Sequence, residues 1–336
     1  MRVVSGMRPT GPLHVGHYFG VLRTWAALQR EHECFFFAAD WHVLTDRQEE
    51  PGRVGGWIRE MVADWIACGV DPERAVIFVQ SAVPEHLELF WILGSLAPVG
   101  MLERVPTYKE EAARLEGRET PAYALLGYPL LQAADVALYK GEVVPVGEDQ
   151  VAHLELAREL VRRLRRAHGV ELPEPQALLT DAPRLVGTDG RAKMSKKLDN
   201  CIYLSDDAAT VERRVRGMYT DPRRVRADVP GTVEGNPVFV YHDLFNPDRA
   251  EVEDLKARYR EGRVGDVEVK AKLARAVNAF LEPLRRRRAE VLADGEGLER
   301  ILERGIERAR EAARETLAEV RKALGGNSIA FGGGLR

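Results

Sequence analysis

Cysteine is scarce in this chain: there are three in 336 residues, Cys34, Cys68 and Cys201, far apart and set among apolar neighbours. No CxxC pair occurs, which removes the sequence basis for a zinc knuckle, an iron–sulfur cluster or a redox couple, and buried reduced thiols are expected. Long hydrophobic runs are missing as well. No stretch approaches the roughly eighteen consecutive apolar residues that a membrane-spanning helix needs, and Arg2 leads through Val3, Val4 and Ser5 into a polar loop rather than an apolar leader. A cytoplasmic chain without a membrane span is expected. Charge of one sign is not in excess either, with 49 Lys and Arg against 52 Asp and Glu and a formal net charge of −3. General nucleic-acid binding works through counterion release from concentrated basic surface, so any RNA contact must be local. The run from Arg285 to Arg288 reads first as a solvated helix face and second as a phosphate contact.

What is present is enough for a large core, since 45% of the residues are hydrophobic and the length allows two domains. The first half alternates short strands, at 2–5, 34–39, 75–80 and 143–146, with helices at 18–30, 54–68 and 150–167. The strand runs are continuously apolar, as buried parallel strands are. This predicts an α/β fold, a doubly wound parallel (Rossmann-like) sheet with a C-terminal α-helical domain. Ligands of such sheets bind beyond the carboxyl ends of the strands. After Pro183 a polar loop, a Pro/Gly-rich break at 228–237 and helical sequence follow. Leu298, Ile301, Ile306, Ala309, Ala313, Leu317, Val320 and Leu324 share one helical face. The expected division is a nucleotide-binding domain over 1–190, a loop over 191–200, a helical region over 201–325 and a disordered glycine-rich tail over 326–336.

Two segments carry chemistry. The first, Gly6-Met7-Arg8-Pro9-Thr10-Gly11-Pro12-Leu13-His14-Val15-Gly16-His17, lies between the first strand and the first helix. Gly16 admits close approach, the amides at the helix start point at anions, and the two histidines offer hydrogen bonds to phosphate oxygens. The second, Lys193-Met194-Ser195-Lys196-Lys197, places two lysines three apart on a loop. They either form a solvated basic loop or stabilise charge developing on a departing pyrophosphate.

Together these segments match the paired HIGH and KMSKS elements of the class I aminoacyl-tRNA synthetases. The chain resembles that family over nearly its whole length, and within it the bacterial tryptophanyl-tRNA synthetases. Ser5 to Gly11 resembles the opening SGxxPSG, Asp40-Trp41-His42 resembles the DxHA region, and Val144 to Gln150 resembles the VPVGEDQ stretch. The resemblance implies ligation of L-tryptophan to tRNA(Trp) with ATP as substrate accompanied by Mg²⁺, no structural metal, a helical anticodon-reading region and a homodimer. It also implies residue roles. Arg8, Pro9, Thr10, Gly16 and His17 would border ATP, with His14 and His17 in catalysis. Gly147, Glu148 and Asp149 would hold the adenosine end, and Leu185 and Val186 would lie against adenine. Lys193, Met194, Ser195, Lys196 and Lys197 would meet the phosphates. Asp135 would accept the indole N–H, Tyr128 and Gln150 would hold the α-amino group, and Gln132, Val144, Val146, His42 and Val4 would complete the amino-acid site.

The chain departs from the family pattern at Arg8, where many members have Gln, at Gln132, where some have Met, and at Lys197, where the motif ends in Ser. A Tyr, a Gln and an Asp at this spacing also resemble the pocket of tyrosyl-tRNA synthetases, which leaves tyrosine as the alternative substrate. A small-molecule nucleotidyltransferase and a synthetase-like binding protein are the remaining alternatives. The first gives no reason for the KMSKK loop, and the second none for intact His14, His17, Lys193 and Lys196.

Overall fold

Apolar runs that do not alternate must bury both faces, and here they do so as parallel strands. The computed structural model describes residues 1–45, 51–115, 122–179, 185–191, 194–221, 223–224 and 226–325. In chain order the elements are β1 (Arg2–Met7), α1 (Val15–His17), α2 (Arg23–Leu28), β2 (Glu33–Ala38), α3 (Val54–Ala67), β3 (Ala75–Val79), α4 (Glu85–Gly94), α5 (Val99–Leu102) and α6 (Pro106–Leu115). There follow α7 (Tyr123–Ala137), β4 (Val143–Val146), α8 (Val151–His168), β5 (Gln176–Leu179), α9 (Ala208–Arg216), α10 (Pro237–Phe245), α11 (Arg249–Arg260), α12 (Asp266–Ala293) and α13 (Gly295–Ala323). The tail over 326–336 and Lys193 lie outside the described residues.

The five strands pair in parallel in the order β3-β2-β1-β4-β5, the doubly wound arrangement expected from the alternating strands and helices. β5, not among the expected strands, is a four-residue edge strand, mostly exposed and hydrogen-bonded to β4, and its apolar run is only Ala177 to Leu179. The segment 18–30 is not one α-helix: a π-helical stretch, Tyr18–Leu22, precedes α2.

By contact the chain forms two compact units. The first comprises Met1–Gly11, Val21–Asp181 and Asp294–Arg336, and the second Pro12–Gly20 and Ala182–Ala293. In the first unit successive β2 side chains serve opposite faces of the sheet. Phe36 stacks on Trp25 of α2 at 4.2 Å between centroids, while Phe35 stacks on Tyr139 at 4.8 Å. The Phe35 side holds the main core, where Phe37, Val76 and Phe78 meet Leu89 and Leu93 of α4 and Leu130 of α7. The last helix, α13, adds Ala309, Ala312, Ala313, Leu317 and Val320 to this same cluster. Its apolar face, legible in the spacing, is therefore spent on the sheet unit. A Cβ on Gly305 would lie 1.8 Å from the Ile77 carbonyl oxygen, so only glycine lets α13 approach the backbone of the edge strand β3 and cover it.

The second unit is helical, with α9 to α12 and the segment 12–20. Asp207, Asn236 and Asp248 cap α9, α10 and α11 by accepting from backbone N–H groups of the first turn, which satisfies donors that have no partner within the helix. Phe19 packs edge-on to Phe245 at 5.3 Å, and Phe280 lies edge-on to Phe245 at 5.1 Å. The guanidinium of Arg224 is fully buried yet satisfied: it sits 3.9 Å over the Tyr259 ring, donates to the carbonyls of Ala227, Val229 and Val264, and pairs with Asp266.

Candidate functional sites

In the first unit the site is organised by α7. Tyr128, Gln132 and Asp135 stand at intervals of four and three, so they fall on one stripe of that helix. Asp135 is 2% exposed, and an ionised carboxylate there needs several donors to replace water. Three converge on it. His42 Nε2 lies 2.9 Å from Oδ2, Gln80 Nε2 donates to Oδ1 at 2.8 Å, and His86 Nδ1 lies 2.7 Å from Oδ1. Behind His86, the Tyr139 hydroxyl lies 2.8 Å from Nε2. Burial by itself raises the Asp135 carboxyl, but hydrogen bonds from His42 and His86 and their charge overcome it and hold the group at about 2. His42 follows β2 and Gln80 follows β3, so two donors are delivered at the carboxyl edge of the sheet, where ligands of this architecture bind.

A second polar chain leads away from Tyr128. Its hydroxyl contacts Thr107 Oγ1, and both oxygens lie within reach of His153 Nε2, at 3.2 and 3.0 Å. His153 Nδ1 lies 3.0 Å from Gln150 Oε1, and Gln150 Nε2 donates to Asp149 Oδ2 at 2.9 Å. Gly147, Glu148 and Asp149 are exposed. Val144 packs with Val136 and Leu154, with Val146 against that cluster, and Val4 is fully buried in the main core. Arg8 is exposed and Pro9 buried, and the Thr10 amide donates to the Arg8 carbonyl at 2.9 Å in a tight turn.

The second unit brings His14, Gly16 and His17 together with the KMSKK loop. His14 is extended ahead of α1, the two imidazoles are 3.8 Å apart between centroids, and the His14 amide donates to His17 Nδ1 at 3.1 Å. Two backbone bonds fasten this segment to the strand-like stretch after the loop: Val15 N to Ile202 O at 3.0 Å and Leu204 N to Leu13 O at 2.9 Å. A Cβ on Gly16 would meet the His14 ring at 2.9 Å and Met194 Sδ at 3.6 Å. The loop is held by Asn200, whose Oδ1 accepts from the Ser195 amide at 2.7 Å and whose Nδ2 donates to Asp189 at 3.1 Å. A Cβ on Gly187 would lie 2.1 Å from Asn200 Nδ2, so glycine is needed for this clasp. Met194 is buried and donates its amide to Leu185 O at 3.2 Å, Val186 O accepts from the Tyr241 hydroxyl at 2.9 Å, Lys196 is half-buried and Lys197 is exposed.

Gln80, His86, Tyr139, Thr107, His153 and Asn200 are the members of these networks that the sequence does not single out. Gln80 is a polar residue at a strand end and His86, Thr107 and His153 are polar residues on helices, while Asn200 lies in a loop and gives no local signal. Among the described residues no three His, Cys, Asp or Glu side chains gather as a metal site, and no helix is long and apolar enough to cross a membrane. The cysteines are free and buried, and burial pushes the Cys34 thiol up to about 12 and Cys201 to about 11, so neither is a ready nucleophile.

With this geometry in hand, residues 1–282 match the family described as tRNA synthetases class I (W and Y). The chain is 54% identical over 327 residues to the tryptophan–tRNA ligase of Treponema pallidum, covering 97% of each, and 46% identical over 328 residues to that of Chlamydia caviae, covering 96% of this chain and 95% of the relative. It superposes with a TM-score of 0.88 and 32% identity on the tryptophanyl-tRNA synthetase of Campylobacter jejuni complexed with ADP and tryptophan, across 97% of this chain and 100% of that one.

Proposed function

The chain belongs to the class I tRNA synthetases of the tryptophan and tyrosine group, and from that premise we propose that it ligates L-tryptophan to tRNA(Trp). The tryptophan carboxylate attacks the α-phosphorus of ATP and pyrophosphate leaves. A hydroxyl of the 3′-terminal adenosine then attacks the aminoacyl carbonyl and AMP leaves. The observation that carries this reading is Asp135, a buried carboxylate held ionised on the stripe that also bears Tyr128 and Gln132. A site built around an acceptor rejects ligands that bring no donor, because the carboxylate would stay buried with one fewer partner. Tyrosine also brings a donor, and tryptophan is preferred because the relatives at 54% and 46% identity are tryptophan–tRNA ligases.

Tyr128 and Gln150 are assigned to the α-amino group, with His42, Gln132, Val144, Val146 and Val4 in or behind the indole wall. Gly147 to Asp149 are assigned to the adenosine end and Leu185 and Val186 to the adenine. Arg8 to Thr10, His14, Gly16, His17, Lys193 and Met194 to Lys197 are assigned to the phosphates. Their work is positioning and charge stabilisation as pyrophosphate departs, with Mg²⁺ carried on the triphosphate as part of the substrate. The helical region over 201–325 is assigned to tRNA, and the compartment to the cytoplasm, where ATP and tRNA meet. A homodimer is supported by apolar side chains left in water on two helices of the first unit: Trp91 is 75% exposed and Leu87 44% on α4, and Val99 is 58% exposed on α5.

The test is exchange of labelled pyrophosphate into ATP with each of the twenty amino acids in turn. Tryptophan-dependent exchange is expected. Exchange with tyrosine alone would replace the substrate, and exchange with none would refute the activation reaction.

A further inference from the structure

Tyr128 and Gln150 are both tied to one buried histidine, and the tautomer of that histidine follows from one carboxylate. A carboxylate oxygen accepts, so the Gln150 atom 2.9 Å from Asp149 Oδ2 is the amide nitrogen. Gln150 Oε1 therefore faces His153 Nδ1 at 3.0 Å and Gln132 Nε2 at 3.4 Å, and His153 carries its proton on Nδ1. His153 is 2% exposed, and burial lowers its pKa, opposed by Asp149 and reinforced by His42. The ring is neutral, and Nε2 offers a lone pair. Facing that lone pair are the Thr107 and Tyr128 hydroxyls, at 3.0 and 3.2 Å, which also bond to each other. Two hydroxyl protons thus meet two needs: one fills Nε2 and the other joins the pair.

We propose that His153 is a positioning residue for the substrate amine, drawing the Thr107 and Tyr128 protons inward and orienting Gln150 so that Tyr128 presents one oxygen acceptor to a cation and Gln150 Oε1 a second, the amine there replacing the long 3.4 Å bond from Gln132. Two acceptors suit an α-ammonium and give nothing to a group that is not a donor. The inference rests on the tryptophan-ligating reading and specifies how that site distinguishes an amino acid from the same acid without its amine.

Binding of L-tryptophan and of 3-(indol-3-yl)propanoate, which lacks the amine, is measured by calorimetry on the full chain, unaltered and as His153→Phe and His153→Gln. The unaltered protein is expected to prefer tryptophan. His153→Phe is expected to lose roughly tenfold or more of that preference, through weaker tryptophan binding with the amine-free acid unchanged, and His153→Gln, which keeps a donor and an acceptor, to regain most of it. Equal weakening of both ligands, or an unaltered preference, overturns the proposal. An independent reading needs no folded Phe variant: long-range ¹H–¹⁵N spectra of histidine-labelled protein, with the His153 signal assigned by its loss in His153→Gln, are expected to show the Nδ1–H tautomer. The Nε2–H tautomer overturns the proposal. Failure of the unaltered protein to bind tryptophan is a separate outcome that overturns both this inference and the reading beneath it.

Discussion

Replacing Asp135 by Asn keeps the shape of the side chain and removes its charge, and the structure sets what that should cost. Two donors fall on Oδ1, at 2.8 and 2.7 Å from Gln80 and His86, and one on Oδ2, at 2.9 Å from His42. An amide accepts at only one of these positions. Its nitrogen must face a donor, and the charge assistance of all three bonds is lost, which together amount to about 2–4 kcal/mol. An independent route gives a similar size. The carboxyl lies at about 2 against an ordinary 3.8, and a displacement of nearly two units corresponds to about 2–3 kcal/mol of folding stability. The folded-state value is the lower one, so this stability is fully present above about pH 4 and is lost as the pH falls towards 2, with about half gone by pH 3. Urea unfolding of the unaltered protein and Asp135→Asn should therefore show a gap of this size at pH 7 that narrows at pH 3. In pyrophosphate exchange the variant should lose roughly a hundredfold or more in kcat/KM for tryptophan, since the indole N–H would meet a weakened acceptor. A gap that stays constant between pH 7 and pH 3, or an unchanged kcat/KM, would refute the assignment of Asp135 as an ionised acceptor.

Gly305→Ala should lower stability by at least about 1–3 kcal/mol, because the added methyl would fall on the Ile77 carbonyl oxygen at 1.8 Å and neither backbone has a flexible end to move; an unchanged melting temperature would contradict the close packing of α13 on β3. Lys197→Ala should slow amino-acid activation roughly tenfold while leaving tryptophan binding intact, since Lys197 is exposed beside the half-buried Lys196; an unaltered rate in a stopped-flow activation assay would remove Lys197 from the phosphate-binding set.

What the sequence made legible follows from what each element buries. β1 to β4 bury both faces, so continuous apolar runs such as Cys34 to Ala38 declare them, whereas β5 rests on one neighbour with Leu179 half exposed and has an apolar run of only three residues, Ala177 to Leu179. The spacing of α13 exposes its apolar face to inspection, but amphipathic period tells which side is buried and never against what. The partner is fixed by Gly305, a single residue whose meaning depends on the backbone of β3. The two chemical segments were legible because each is continuous in sequence, His14 to His17 and Lys193 to Lys197. The networks behind the site residues are not continuous: Asp135 draws its donors from positions 42, 80 and 86, and Gln150 reaches Tyr128 through His153. Each of those residues reads locally as an ordinary polar side chain. They come together only when parallel strand order sets the carboxyl ends of β2 and β3 beside α7, which is why Tyr128, Gln132, Asp135 and the donor His42 were reached through the resemblance of their segments to the family, while the donors Gln80 and His86 were not.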